Sequence, residues 1–252
     1  MRALDAPRAA AENALIEAVF QRFAAAGPMA RHFARGKLRH DPIYFALLRR
    51  GGLPDEARVL DLGCGQGILL ALLVESRDRA RAGRWPAAWP PPPSKLALRG
   101  VEMRGAEVRR ARVALGSEAV IDELDLRDAP LGQSEWITAI DVIHYLEPDA
   151  QDRLLARMSA ALVPGGRLTL RVCGVEAGLR SFLTRSADHL GALAKGGRVH
   201  RLHLRSTSRW IAALESLGLS VRAEPMSEGT PFANVWIEAR RPERQGAGPV
   251  LE

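Results

Sequence analysis

Apolar positions along this chain follow two rhythms, one helical and one strand-like, and their order predicts the architecture. Leu15, Ile16, Val19, Phe20 and Phe23 fall at helical spacing within residues 8–27, which predicts an amphipathic helix ending near Gly27-Pro28. A second helix is expected from Met29 to Arg35. The segment from Gly36 to Pro42 reads as a basic turn, with Asp41 as N-cap and Pro42 as the first residue of a third helix that reaches Arg50. Beyond Gly51-Gly52-Leu53-Pro54 the rhythm changes. Short apolar runs from Val59 to Leu62, Leu96 to Met103, Ala119 to Leu124, Leu168 to Cys173 and, together with the strand's exit, Trp136 to Leu146 read as strands. Helical stretches lie between them, from Ile68 to Val74, Ala106 to Leu115 and Ala150 to Leu162. Asp149 is placed to cap the last of these, and Val163 to Arg167 reads as a turn. A helix from Ser206 to Leu217 is followed by strands from Leu219 to Glu224 and Pro231 to Arg240, with a turn at Thr230-Pro231.

Repeated helix–strand alternation predicts an α/β fold with a doubly wound, Rossmann-like sheet of about seven mostly parallel strands. Residues 1–52 form an N-terminal helical cap in this reading, either closing a substrate pocket or packing on the sheet. Residues 53–242 form the main domain. Two insertions interrupt it: a proline-rich one over 77–95, and a helical one on the substrate side over 174–205. The run Trp85-Pro86-Ala87-Ala88-Trp89 followed by four prolines excludes helix and central strand, because proline fixes φ and removes a donor. Its tryptophans either grip a partner or fold back onto the domain. Residues 243–252 read as a disordered tail.

Composition narrows the class without changing that picture. A chain of 252 residues that is 47% hydrophobic and 26% charged fits a soluble, cytoplasmic globular protein, and its start does not read as a signal peptide. Cys64 and Cys173 are too few for a disulfide framework or a zinc cluster. The net charge of +7 comes almost wholly from arginine, since lysine occurs only at Lys37, Lys95 and Lys195. These arginines are scattered and form no basic helix or aromatic-interleaved sheet, so nucleic acid is not the expected partner. A basic surface equally suits acidic small molecules or an acidic protein.

Chemistry concentrates in Val59-Leu60-Asp61-Leu62-Gly63-Cys64-Gly65-Gln66-Gly67. Glycines at alternate positions between a strand and a helix let a ligand approach the backbone, as nucleotide-like cofactors require. Phosphate loops space their glycines differently, and a carboxylate at Asp61 would repel phosphate while favouring a cationic ligand. This nonapeptide resembles the first motif of class I S-adenosylmethionine-dependent methyltransferases. Their cofactor carries an ammonium and a sulfonium and no phosphate. Leu162-Val163-Pro164-Gly165-Gly166 before a strand, and the two closing strands as an antiparallel hairpin, look like the same family. The resemblance implies cofactor contacts from Asp61, Gly63, Cys64, Gly65 and Gly67, and from Glu102 and Met103 at the end of the second strand. It also places Asp125 and Leu126 against the adenine, with Asp128 as an alternative to Asp125. Glu102 follows the glycines at a wider interval than usual, which the proline-rich insertion explains. A carboxylate there can accept from both ribose hydroxyls.

Ligands in open α/β sheets lie at the carboxyl ends of strands, so the exit of the fourth strand, Asp141-Val142-Ile143-His144-Tyr145, should face the cofactor and the acceptor. Asp141 and Val142 are expected on the cofactor side. His144 is the candidate general base and Tyr145 a residue that orients an acceptor hydroxyl. No Asn/Asp-Pro-Pro-aromatic motif follows this strand, which argues against methylation of amino groups, and no carboxylate cluster supports a magnesium mechanism. His200 and His203 are three apart but lack companions for a metal site, so no metal is expected. Oxygen or activated carbon of a small molecule is the expected acceptor. His32 to Pro42 resembles methyltransferases of bacterial aryl-polyene pigment pathways, implying a phenolic acceptor that an acidic acyl carrier protein could present. Two alternatives stay open: an RNA methyltransferase, and a non-catalytic or NAD-using Rossmann-like protein.

Overall fold

Seven strands form one sheet in the order β3-β2-β1-β4-β5-β7-β6 in the computed structural model, which describes residues 2–173, 202–226 and 234–243. The five strands β1 (Glu56–Leu62), β2 (Lys95–Glu102), β3 (Ala119–Glu123), β4 (Ser134–Ile140) and β5 (Leu162–Cys173) are mutually parallel. β7 (Asn234–Arg240) runs antiparallel to both β5 and β6 (Ser220–Pro225). β1 and β4 are adjacent, and the chain winds outward from them in opposite directions. That reversal opens a crevice at their carboxyl ends. The expected doubly wound sheet and closing antiparallel pair are thus present.

Helices cover both faces. On one face α4 (Ile68–Arg81) and α5 (Gly105–Leu115) pack with Val59, Leu98 and Trp136, and the N-terminal helices join the same core. Those helices are α1 (Arg2–Arg22), α2 (Pro28–His40) and α3 (Ile43–Arg50). Leu15, Val19, Phe23, Leu38 and Phe45 pack in one continuous cluster with Leu69 to Val74, so the N-terminal segment packs as a layer on the domain. On the opposite face α6 (Pro148–Ala161) and α7 (Thr207–Glu215) pack Leu154, Leu155, Met158, Trp210 and Leu214 onto Leu60, Ile137 and Leu170.

Several boundaries differ from expectation. Gly36 to His40 is helix, not turn. Ala30, Ala34 and Leu38 form a buried stripe four residues apart, and its burial outweighs the roughly 1 kcal/mol that a mid-helix glycine costs. Lys37, Arg39 and His40 then sit in the last turn, where the helix dipole favours cations. Asp41 is the C-terminal flank of α2; its carboxylate does accept from the Ile43 amide at 3.3 Å, but α3 begins after Pro42 without a side-chain cap at that position. The helix α4 continues to Arg81, so the irregular segment starts after it, not at Arg77. Glu147 flanks α6 and Pro148 opens it, leaving Asp149 in its first turn. Val163 to Gly166 is a bulge inside β5: Leu162 pairs with Ser134, and pairing resumes between Arg167 and Trp136.

The proline-rich segment folds back. Trp89 is buried against Phe45, with ring centroids 6.2 Å apart, and Trp85 stacks edge-on to Trp89 at 5.4 Å. The Trp85 indole N–H donates to the Pro90 carbonyl at 3.0 Å, as a half-buried indole requires. His189, His200, most of the 174–205 insertion, the start of the last expected strand and the tail beyond Glu243 lie outside the described residues. Among the described residues no helix is long and apolar enough to cross a membrane.

Candidate functional site

The loop after β1 is fixed by two amides: Gly63 N and Cys64 N both donate to the Val101 carbonyl at the end of β2, at 2.8 and 3.1 Å. Gly63, Gly65 and Gly67 all have positive φ (72°, 55° and 81°), which side chains disfavour. Their surroundings separate them. A Cβ on Gly63 would lie 2.5 Å from Val142, so packing there excludes a side chain, and one on Gly67 would lie 2.7 Å from Leu115 Cδ1, which would have to turn away. A Cβ on Gly65 would meet only the Arg104 guanidinium, at 3.9 Å. Gly65 therefore faces open space, and it forms the floor on which a ligand can rest. This observation fits a cofactor laid against the backbone.

Two buried carboxylates flank that floor. Asp61, next to last in β1, accepts from Thr138 Oγ1 of β4 at 2.6 Å and has no cation beside it among the described residues. Burial pushes its carboxyl up to about 7, helped by the nearby charge of Glu102 and opposed by the Thr138 hydrogen bond. Glu102, the last residue of β2, is also buried. It accepts from Gly65 N at 3.1 Å, from Arg104 N at 2.9 Å, and from the Arg104 guanidinium at 3.0 and 3.3 Å.

Beyond β3, Asp125 is held by its own loop. It accepts from Arg127 N at 2.9 Å and from the Arg127 guanidinium at 3.0 and 2.6 Å, hydrogen bonds that keep its carboxyl below the ordinary value. Asp128 contributes its amide, to the Asp125 carbonyl. Arg157 on α6 staples the loop by donating to the carbonyls of Leu126, Arg127 and Ala129.

The exit of β4 carries Asp141, the one non-glycine among the described residues with positive φ, at 56°. Arg171 of β5 clamps it, donating through Nε at 2.9 Å and through Nη2. The same guanidinium binds Asp41, between α2 and α3, through both terminal nitrogens, and Lys37 adds a 3.0 Å contact to Asp41. Arg171 is 1% exposed. Burial would lower its charge-holding, but Asp141 and Asp41 more than offset that and raise it. Burial likewise opposes ionisation of Asp41, yet Arg171 and then Lys37 hold its carboxyl below the ordinary value. Tyr44 is buried nearby; burial and the charges of Asp41, Asp61 and Asp141 push its hydroxyl up, so it stays protonated. Next along the chain, His144 and Tyr145 form a single 3-10 turn with ring centroids 4.7 Å apart. His144 is buried, and its carbonyl accepts from His203 N at 2.9 Å.

Asp61, Gly63, Gly65, Gly67, Glu102, Asp141 and Val142 are thus brought together at the β1–β4 crevice, with Asp125 on the neighbouring loop. Cys64 differs: its sulfur sits where a Cβ on Gly100 would lie 2.6 Å away, so it packs into β2 and offers the site only its backbone. Burial raises its thiol well above the ordinary value, which makes it unreactive. Met103 is exposed at the rim, while Leu126 is buried in the core of the α6 face. His203 Nε2 lies 3.1 Å from Glu147, and no group of three potential metal ligands occurs among the described residues.

Sequence reasoning did not single out Thr138, Arg104, Arg171, Arg157 or Gln66, whose side-chain amide donates to the Ala30 carbonyl of α2 at 2.8 Å. Thr138 and Arg171 did carry a signal, as polar residues inside otherwise apolar strands. Such positions need a buried partner.

With this geometry in place, comparison with known proteins defines the class. Residues 30–224 match the family model described as a methyltransferase domain, and the chain belongs to that family of enzymes. It is a class I methyltransferase, and its cofactor is S-adenosylmethionine. The chain is 36% identical over 127 residues to a trans-aconitate 2-methyltransferase of Azoarcus sp., covering 50% of this chain and 43% of that one. It therefore spans less than half the length of that relative. A trans-aconitate 2-methyltransferase of Mycobacterium tuberculosis is 28% identical over 217 residues, covering 85% of this chain and 71% of that one. The fold is shared with magnesium protoporphyrin IX methyltransferase from Synechocystis, solved with S-adenosylhomocysteine bound. There the TM-score is 0.55 and identity 18%, over 88% of this chain and 94% of that one.

Proposed function

We propose that the protein transfers a methyl group from S-adenosylmethionine to an oxygen or activated carbon of a small acceptor. One observation carries this reading: the open floor at Gly65 is flanked by the buried carboxylates Asp61 and Glu102, and Asp61 has no cation of its own among the described residues. Such a site favours a cationic ligand with hydroxyls to donate and disfavours a pyrophosphate. When bound, the cofactor supplies a methyl carbon on a sulfonium, which makes it electrophilic. The chain's part is to align an acceptor with it, and alignment of this kind is worth on the order of 7–11 kcal/mol in favourable cases. His144 takes the acceptor's proton and Tyr145 orients the acceptor, both from the turn after β4.

Two relatives are named for trans-aconitate, which supports a small acceptor over a polymer. A phenolic acceptor, or one carried by an acidic carrier protein, is the narrower reading drawn from residues 32–42. In the fold several of those side chains serve the scaffold: His32 and Arg35 pack on the Phe20 ring, Leu38 is buried, and Asp41 binds Arg171. The acceptor is therefore better sought by screening small acids and phenols alike. An RNA substrate has less support, because Arg58, Arg99, Arg127 and Arg205 are each paired with a carboxylate in the protein itself.

The first test is thermal shift with S-adenosylmethionine, S-adenosylhomocysteine and NAD. The first two should raise the melting temperature; a rise with NAD alone would overturn the proposal. Once an acceptor is found, His144→Ala should lower kcat by about 10²–10⁴-fold with cofactor affinity unchanged. Unchanged turnover would remove His144 from the mechanism.

A further inference from the structure

Glu102 is fully subscribed. An ionised carboxylate offers about four lone-pair sites, and here four donors reach them. Two are backbone amides, Gly65 N on Oε2 and Arg104 N on Oε1. The other two belong to the Arg104 guanidinium, Nε on Oε1 and Nη2 on Oε2. The amides come from the glycine loop and from the flank of α5, so they fix the carboxylate to the frame. The guanidinium is different in kind, since its side chain is 65% exposed while the Glu102 carboxylate it covers is 5% exposed. It also lies over Gly65, the open floor of the loop.

We propose that the Arg104 guanidinium is a placeholder on Glu102 that the two ribose hydroxyls of the cofactor displace. This rests on the reading of the crevice as an S-adenosylmethionine site. The donor count is matched: withdrawing the guanidinium frees one lone-pair site on each oxygen, two in all, for two hydroxyl donors, while both amides remain. Until exchange occurs, the guanidinium gives the buried carboxylate a counter-charge beside Asp61, and its loss without a replacement would cost the unliganded protein stability. Arg104 therefore protects the site at the expense of affinity. A longer-lived consequence is selectivity, because a ligand with a single hydroxyl cannot replace both guanidinium contacts.

Calorimetric titration of S-adenosylhomocysteine into the wild-type protein and into Arg104→Met and Arg104→Lys tests the exchange. Arg104 is exposed, and melting curves of all three proteins will show that each is folded. Arg104→Met should bind about threefold or more tightly than wild type, the range expected when an exposed ion pair competes for the same group. Arg104→Lys keeps the charge but loses the two-pronged contact, and should fall between them. If Arg104→Lys matches wild type while Arg104→Met tightens, long-range charge is responsible and the exchange is wrong. Equal or weaker binding by both variants also overturns it. A folded wild-type protein that binds no S-adenosylhomocysteine at all would instead overturn the cofactor reading, and this inference with it.

Discussion

Two groups of acids, one half-buried and one buried, stand at the carboxyl edge of this sheet, and they are treated in opposite ways. Asp41 and Asp141 share the Arg171 guanidinium, which binds both and is itself sealed from water. Asp61 has a threonine hydroxyl where those two have a cation. The carboxyl of Asp41 is accordingly held low and that of Asp61 is pushed up to about 7, although burial opposes ionisation in both. A neutralised buried charge is part of the scaffold, whereas an unneutralised one is held in readiness for something else. The contrast also suggests a division of work. Arg171 ties the α2–α3 junction to the strained exit of β4, and Asp61 with Glu102 is the pair proposed to receive the ligand.

Removing the cation breaks the contrast most directly. Arg171→Met would leave two carboxylates facing each other without compensation, and loss of one member of a buried ion pair costs about 3–5 kcal/mol. In a domain of this size that should lower the melting temperature by on the order of 10 °C. Restoring neutrality with Asp41→Asn in the same chain should recover part of the loss. The pH dependence has a definite sign. Because Asp41 is lowered in the folded protein, its contribution is complete above the ordinary carboxylate range and is lost as pH falls through its depressed value. Acid unfolding of Arg171→Met should lack that component. A melting temperature within about 2 °C of wild type would mean that the clamp is dispensable, since roughly 2–4 °C corresponds to 1 kcal/mol here.

How far the sequence reveals this depends on whether the signal is local. The glycine loop, the strands on either side of it and the closing pair are readable because periodicity, glycine spacing and turn residues lie within a few positions of one another. The clamp is not readable, because Asp41, Asp141 and Arg171 come from distant parts of the chain and only the sheet order brings them together. Gly36 misleads for the opposite reason: the residue signals a turn, while the decisive fact is the tertiary burial of Leu38. Likewise the N-terminal helices read as a cap that either closes a pocket or packs on the sheet, because their apolar faces cannot show, in sequence, that they join the core of α4. Among the site residues, Asp61 and Glu102 were legible as acids at strand ends. Their partners Thr138 and Arg104 were not.

Asp61 offers the sharper test of the ligand half of the comparison. In the unliganded protein its raised value means that it is protonated below about pH 7. A cationic ligand prefers the ionised form, so cofactor affinity should rise with pH up to about 7 and then level off, with a proton released on binding below that point. Stability of the unliganded protein should move the other way: this residue favours the fold below the ordinary carboxylate range and costs it progressively as pH rises to about 7. Asp61→Asn keeps the shape and the Thr138 contact but cannot ionise. It should weaken S-adenosylmethionine binding about 10–100-fold, the value of a hydrogen bond to a charged group, and abolish both pH trends. Titration calorimetry in buffers of different ionisation enthalpy measures the affinity and the released proton together. PH-independent binding by the wild-type protein would show that Asp61 is not the ammonium's partner.

The smallest effects come from the glycines, which repeat the same distinction between scaffold and site on the scale of one loop. Gly67→Ala forces a Cβ to within 2.7 Å of Leu115 Cδ1 at a φ of 81°, so the buried Leu115 side chain must repack. It should destabilise the fold by about 1–3 kcal/mol, and weaken cofactor binding only through that distortion. Gly65→Ala meets no protein atom closer than 3.9 Å and pays only for φ 55°, a cost of about 1 kcal/mol that an αL position imposes. Its methyl group would instead stand on the floor where the cofactor is proposed to lie. Melting curves and S-adenosylhomocysteine titrations on the two variants should therefore rank them in opposite orders: Gly67→Ala worse in stability, Gly65→Ala worse in affinity. Two variants falling in the same order by both measures would mean that the loop is a single structural unit, with no surface set aside for the ligand.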